Sequence, residues 1–322
     1  MGGFRFWLLV AAVAFHPAGA LAQAWPGKPI RFIVSFPPGG SSDLVARALA
    51  PRMSARLGQP VLVENRPGAS GNIGMDLVAK SPADGYTIGL GAAGALSINA
   101  SLFPSMPFDP VKDLAPVSLL ALIPIVIAAH TSTGASSVSE LIALAKARPG
   151  ALSYGTTGNG SAMHLAGEML QQMTGTSMVH VPYKGSGPAA SDAAGGQLPL
   201  AIVDLTSALP HIRSGRIRAL AVTGAQRSVT APEIPTVAES GVPGFDAVGW
   251  FGVVAPAGTA APVIARLNAE IVDGMKVPEI RERLLAGGAE PATSTPEEFG
   301  SFIRAEVPKW ARVIKAAGVK LN

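Results

Sequence analysis

Apolar and polar positions alternate along this chain between short β-prone runs and longer stretches with helical spacing. Residues 30–36 are an apolar, β-prone run that breaks on Pro37-Pro38-Gly39-Gly40, and from Leu44 onward the apolar positions recur as in a helix. This predicts a strand, a tight loop and a helix N-terminus, with Ser42 or Asp43 as cap. Residues 61–65 read as a second strand, 66–74 as a Gly-rich turn and 75–80 as a helix. After a turn over 81–85, a third strand spans 86–91 and ends on Ala92-Ala93-Gly94. Strand, small-residue loop and helix recur as in a parallel sheet with helices outside, where ligands bind beyond the carboxyl ends of the strands.

A long apolar stretch follows over 117–129, then a helix over 137–147 that stops at Pro149-Gly150. A second series repeats the rhythm: 151–154 leads into the loop 155–161 and a helix carrying Leu165 and Met169. Residues 178–183 lead into 184–188, and 198–203 into Asp204-Leu205-Thr206-Ser207. Another strand is predicted over 217–222, an apolar run over 249–256, and a helical tail over 262–273, 278–286 and 296–317. The apolar runs 117–129 and 249–256 bracket the second series. They predict an α/β chain of two lobes, 25–124 with 250–322 in one and 125–249 in the other, with two strands crossing between them. The alternative is one continuous doubly wound sheet.

Arg5, an apolar run over 6–15 and small residues ending in Ala20-Leu21-Ala22 have the order of a secretory signal, with cleavage expected at Ala22 or Ala24. No later stretch is long and apolar enough to span a bilayer, since 119–129 is short and contains Pro124. The absence of cysteine excludes disulfides, a thiolate nucleophile and cysteine-ligated metal, so an exported chain must rely on its core. With 48% hydrophobic and 14% charged residues, it has the composition to build one. The net charge of +4 is scattered rather than clustered, and aromatics make up only 6%, which argues against nucleic-acid binding.

Walker A, H-E-x-x-H, G-x-S-x-G and EF-hand patterns are absent. Ser161 and His164 could form a nucleophile and base of a hydrolase, but i,i+3 neighbours on a helix seldom align for proton transfer, and capping by Ser161 is the competing reading. His164 and Glu168 could supply two metal ligands, with no third indicated. Asp43 and Asp204 could be paired acids, or a cap and a turn residue. Asn99-Ala100-Ser101 and Asn159-Gly160-Ser161 fit the glycosylation sequon at chance-level spacing. What remains are Gly/Ser/Thr/Asn loops at strand ends, suited to holding a small anion with main-chain and hydroxyl donors and releasing it unchanged.

Several of these stretches resemble one family. Trp25-Pro26-Gly27-Lys28-Pro29-Ile30, the loop 36–43, residues 63–74 and 81–87, Gly158-Asn159-Gly160-Ser161-Ala162-Met163-His164, Val181-Pro182-Tyr183-Lys184-Gly185 and residues 209–215 are similar to those of the Bug receptors. These are the TctC-type substrate-binding proteins of tripartite tricarboxylate transporters. The resemblance implies a monomeric, type II-like two-lobe periplasmic binding protein with a mixed sheet in each lobe. It would close on a small carboxylate and deliver it to a membrane permease; a sensor feeding a signalling kinase is the alternative role. The resemblance puts Pro38, Gly39, Gly40, Ser42 and Asp43 on one side of the ligand and Thr157, Gly158 and Ser161 on the other. Ala93, Gly94 and Asp204 would lie around the remainder. It implies no cofactor, no metal and no catalytic residue.

Overall fold

The computed structural model describes residues 25–320, so the leader with Ala22 and Ala24 lies outside the described residues. The first β-prone runs form β1 (Ile30–Val34), β2 (Val61–Asn65) and β3 (Thr87–Ala92), with β1 paired in parallel to both others. The crossovers are α1 (Ser41–Leu57) and α2 (Asn72–Ala79). Val45, Leu49 and Met53 fall at i, i+4 and i+8, so they share one face of α1. All three are buried in a cluster with Ile271 and Met275 of α8 (Ala261–Met275).

Pro124 divides the long apolar run into β4 (Leu114–Ile123) and β5 (Ile125–His130). A proline has no N–H for a ladder, and here the chain leaves one sheet for another. In the first sheet the order is β11 (Glu290–Pro291), β4, β10 (Gly249–Pro256), β3, β1, β2. It is mixed because β10 runs antiparallel to both β3 and β4. In the second sheet the order is β7 (Val179–Pro182), β6 (Ser153–Thr156), β8 (Leu200–Asp204), β5, β9 (Ile217–Val222). There β6 is parallel to β7 and β8, while β5 is antiparallel to β8 and β9. The fold is thus a two-lobe α/β architecture with two mixed sheets, not one continuous sheet.

The chain returns to the first sheet over residues 247–249. Fully buried Thr223 ties the two passages together: its N–H donates to Ile125 O (2.9 Å), its hydroxyl to Ala247 O (2.5 Å), and it accepts from Ala247 N (2.8 Å). The second sheet is flanked by α4 (Val138–Ala147), α5 (Ala162–Thr174), α6 (Ser186–Ala194) and α7 (Leu205–Arg213). α9 (Pro278–Ala286) and α10 (Pro296–Ala317) follow α8. Thr295 starts α10 with a capping box, accepting from Glu298 N while the Glu298 carboxylate accepts from Thr295 N. α10 then packs on β4 and on α5, where Gln172 Nε2 donates to Val313 O (2.9 Å). The buried Glu306 carboxylate of α10 receives both indole N–H groups of Trp250 (3.3 Å) and Trp310 (2.8 Å) and pairs with Lys309.

Candidate functional site

A cavity of about 400 Å³ opens between the two sheets. On the first-sheet side it is bordered by Phe36 just after β1, Ser70 in the β2–α2 loop, and Ala92, Ala93 and Gly94 at the end of β3. Ile123 and Gly249, Trp250 and Phe251 close that side. The opposite side is Thr157 and residues 159–163, where β6 runs into α5. None of the lining residues carries a charge. The polar groups facing the space are therefore hydroxyls, carboxamides and main-chain amides. At the start of α5 the Ser161 hydroxyl caps His164 N (3.1 Å), but Ala162 N and Met163 N have no partner among the described residues. Free first-turn amides together with the helix dipole favour an anion. A larger groove, about 940 Å³, runs along α1 and β2 on the outer face, away from these converging loops.

The β1–α1 loop is shaped by one carboxylate. Asp43, 4% exposed, accepts from Gly39 N (3.0 Å), from Arg47 Nε (2.9 Å) and from Asn65 Nδ2 (2.9 Å), while Asn65 Nδ2 also donates to Phe36 O (3.0 Å). Burial opposes its ionisation, but the bonds from Arg47, Gly39 and Asn65 outweigh burial and hold its carboxyl below the usual range. Gly39 turns the loop at φ +86°, a region L side chains avoid. Pro37 and Pro38 have no N–H and that of Gly39 is engaged, so the free main-chain donors of this loop begin at Gly40. The amides of Gly40, Ser41, Ser42 and Asp43 have no partner among the described residues, and no side chain caps α1.

The β6–α5 loop is braced from below by two stacked imidazoles. His164 and His180 lie 3.7 Å apart with their planes 13° from parallel. His164 Nδ1 accepts from Gly160 N (3.0 Å), and His180 Nε2 meets the Thr156 hydroxyl at 2.7 Å. Glu168 approaches His164 Nε2 at 3.6 Å and accepts from Tyr154 OH (2.7 Å) and Gln171 Nε2 (3.0 Å). Burial, reinforced by the adjoining His164, pushes His180 down to about 4, with Glu168 pulling the other way. Burial and the Glu168 carboxylate both raise the Tyr154 phenol. The Ser161 hydroxyl donates to Gly158 O (2.8 Å) rather than to His164, whose two ring nitrogens face Gly160 and Glu168. This is a cap and a loop brace, not a nucleophile and its base.

Of the residues singled out from the sequence, Ala93, Gly94, Thr157 and Ser161 border the cavity directly. Pro38, Gly39 and Gly40 form an exposed loop following Phe36, and Ser42 and Asp43 are buried at the start of α1. Gly158 shapes its loop, donating to Thr156 Oγ1 (3.2 Å) and accepting from Ser161. Asp204 caps α7, accepting from Ser207 N (2.8 Å) and Ser207 Oγ (3.1 Å), and does not border the cavity. Sequence reasoning did not assign Phe36, Ser70, Ile123, residues 159–160, 162–163 or 249–251 to the site, although they line the cavity. It met Asn99 only as a sequon. A polar residue directly after the buried run 95–98 was the available signal for Asn99; the antiparallel pairing of β4 with β10 left none for Ile123 and Phe251.

Comparison with known proteins agrees with this architecture. Residues 45–319 match the family model described as tripartite tricarboxylate transporter family receptor, TctC. Protein BugT of Bordetella pertussis (strain Tohama I) is 43% identical over 312 residues, covering 97% of this chain and 96% of its own. Among solved structures, R. palustris Rpa4515 with adipate is 38% identical with a TM-score of 0.77, over 92% of this chain and 99% of that one. The periplasmic binding protein BugD is 37% identical with a TM-score of 0.73, over 92% and 99%. With two mixed sheets, an uncharged cleft between them and a family match over most of its length, this chain belongs to the TctC/Bug family of tripartite tricarboxylate transporter receptors, which are binding proteins and not enzymes.

Proposed function

We propose that this protein is an extracytoplasmic receptor that takes a small carboxylate into the cavity between its sheets and hands it to the membrane permease of a tripartite tricarboxylate-type transporter. In this reading residues 25–124 and 250–322 move as one lobe and 125–249 as the other, hinging where Thr223 joins the two passages. The leader is removed near Ala22 or Ala24 and the mature chain works in the periplasm. Among the described residues no helix is long and apolar enough to cross a membrane, which fits a receptor needing a separate permease.

The observation that carries this reading is the uncharged cavity with unpaired helix-start amides at its edge. Ala162 N and Met163 N would take one carboxylate, with Thr157 and Ser161 beside them. The amides of Gly40 and Ser42 would reach the same group from the other lobe as the cleft closes. Asp43, Gly39, Gly158 and Asp204 act on the ligand through the shapes of their loops, and Ala93 and Gly94 border its body. A hydrogen bond to a charged group contributes about 1.5–3 kcal/mol, so a few such donors in a dry cleft reach the roughly −8 kcal/mol of micromolar binding. Binding and release leave the acid unchanged, and no cofactor enters.

Calorimetry against a panel of carboxylates, adipate included because the R. palustris relative is solved with it, tests the reading. Saturable 1:1 binding with the acid recovered intact is expected. Failure of every acid to bind, or its chemical conversion, would overturn the proposal.

A further inference from the structure

One side chain in the cavity wall has unfinished hydrogen bonding. Asn99, 1% exposed, stands where the π-turn Gly94–Ile98 passes into the short helix α3 (Asn99–Leu102). Its Nδ2 uses both hydrogens inside the protein, on Ser70 O (3.2 Å) and Asn72 Oδ1 (2.8 Å). Asn72 is itself oriented, since its Nδ2 points at the Met106 sulfur (3.2 Å) and its Oδ1 is left for Asn99. Rotating the Asn99 carboxamide by half a turn would aim its oxygen at two acceptors, so the network sets its direction. The remaining atom, Oδ1, receives no donor among the described residues. It is also not one of the buried polar atoms closed off without a partner, and Asn99 borders the cavity. Ser70, whose carbonyl Asn99 holds, is a non-glycine residue at φ +54° beside Ala69 at φ +46°. Backbone strain of this kind gathers at ligand-binding segments.

We propose that Asn99 is a specificity-determining residue whose Oδ1 accepts a hydrogen bond from a hydroxyl, amino or ammonium group of the ligand, so that the acid carried is a donor-bearing small carboxylate. The inference rests on the receptor reading above and deepens it. An ionised carboxylate at this point would set acceptor against acceptor, and an unsubstituted alkyl or aryl carbon would leave a buried oxygen unpaired. Sites that expect a hydrogen bond discriminate far more strongly against the analogue lacking it than apolar pockets do against a missing methylene.

Matched acids that differ by one donor test this by calorimetry: malate and aspartate against succinate, and para-hydroxybenzoate and para-aminobenzoate against benzoate. The hydroxyl and amino arms tell the two donors apart. In at least one pair the donor-bearing acid should bind about tenfold tighter or more than its parent in the wild-type protein, and Asn99→Ala should shrink that ratio to about twofold or less. Asn72→Leu lies outside the cavity wall and removes the acceptor that orients the amide, so it should shrink the ratio as well. A ratio within a pair does not respond to a general loss of folded protein. If parent acids bind as tightly as their donor-bearing partners, if adipate or citrate binds while none of the donor-bearing acids in these pairs does, or if Asn99→Ala keeps the preference, the inference fails while the receptor reading stands. If none of these acids, adipate or citrate binds, both fail.

Discussion

Gly160 faces Leu102 across the cleft, and this contact offers a direct test of whether the two walls close on the ligand. Gly160 sits at φ +70°, and a Cβ there would fall well inside contact distance of Leu102 Cδ2, on the opposite wall. Gly160→Ala therefore has two separable effects. The left-handed backbone costs an L residue about 1–2 kcal/mol whether or not ligand is bound, so it lowers stability. Overlap with Leu102 costs about 1–3 kcal/mol, as overpacking does in a core, but only when the walls approach. An opened cleft relieves it.

Affinity should accordingly fall by roughly 5- to 150-fold at about 1.4 kcal/mol per tenfold. Leu102→Ala removes the obstructing atom. Calorimetry on the wild type, each single variant and the double variant closes a cycle. The double variant should bind within about twofold of Leu102→Ala alone, giving a coupling of about 1–3 kcal/mol. Additive losses of affinity would mean that the contact with Leu102 is not their cause, since ligand-independent backbone strain cancels in binding. Gly160→Ala binding with wild-type affinity would refute the claim that these walls come together around the acid.

Asp43→Asn should lower stability by about 1.5–3 kcal/mol, because Arg47 and Gly39 N lose a charged acceptor, and should weaken ligand binding through the loosened loop; urea denaturation and calorimetry read the two. The Asp43 carboxyl is depressed in the folded protein, so its stabilisation is complete above the unfolded value near ~3.9 and disappears as pH falls through the lower folded value. The acid limb of a pH–stability curve should be flatter in the variant. His180, neutral in the folded protein down to about 4 but titrating near ~6.5 when unfolded, contributes stability that is full above that value and is lost as pH falls toward about 4. That limb spans up to about 3 kcal/mol, and His180→Phe, which keeps a stacking ring, should remove it in melts between these two pH values. Glu306→Ala strands two buried indole N–H groups and Lys309, and should cost about 3–5 kcal/mol by urea denaturation; a loss under ~1 kcal/mol would mean the network is not needed to seat Trp250.

The parts of this fold that were legible in the sequence are those whose cause is local. The apolar run that carries β1 breaks on proline and glycine at residues 37–40, Val45, Leu49 and Met53 repeat at helical spacing, and Ser161 precedes an amphipathic α5. Each reads off a window of a dozen residues. For Asp43 the contacts that the structure shows are with its own loop and helix and with Asn65. The informative feature was Arg47 four residues on, the spacing of a helical ion pair, and it explains why the carboxylate bends its own loop. Asp204 had its cap partner Ser207 three residues downstream. Ile123, Trp250 and Phe251 reach the cavity through pairing between strands more than a hundred residues apart, and no short window encodes that partnership.

The charged groups near the cleft are occupied before any ligand arrives. Asp43 is held by Arg47, Gly39 and Asn65, Glu168 by Tyr154, Gln171 and His164, and Asp204 by Ser207. Such groups fix loop shape; as carboxylates they would repel an acid, and the partners that hold them are not released to pair with it, because withdrawing one would leave a buried charge uncompensated. In the receptor reading proposed above, the acid instead meets main-chain amides at helix starts, which are the same for every carboxylate. Discrimination then falls to the few side chains around the body of the ligand, Phe36, Asn99, Met163 and Phe251. A scaffold divided in this way can change its cargo by substitutions in the wall while its acid-gripping loops, and the buried network beneath them, stay as they are.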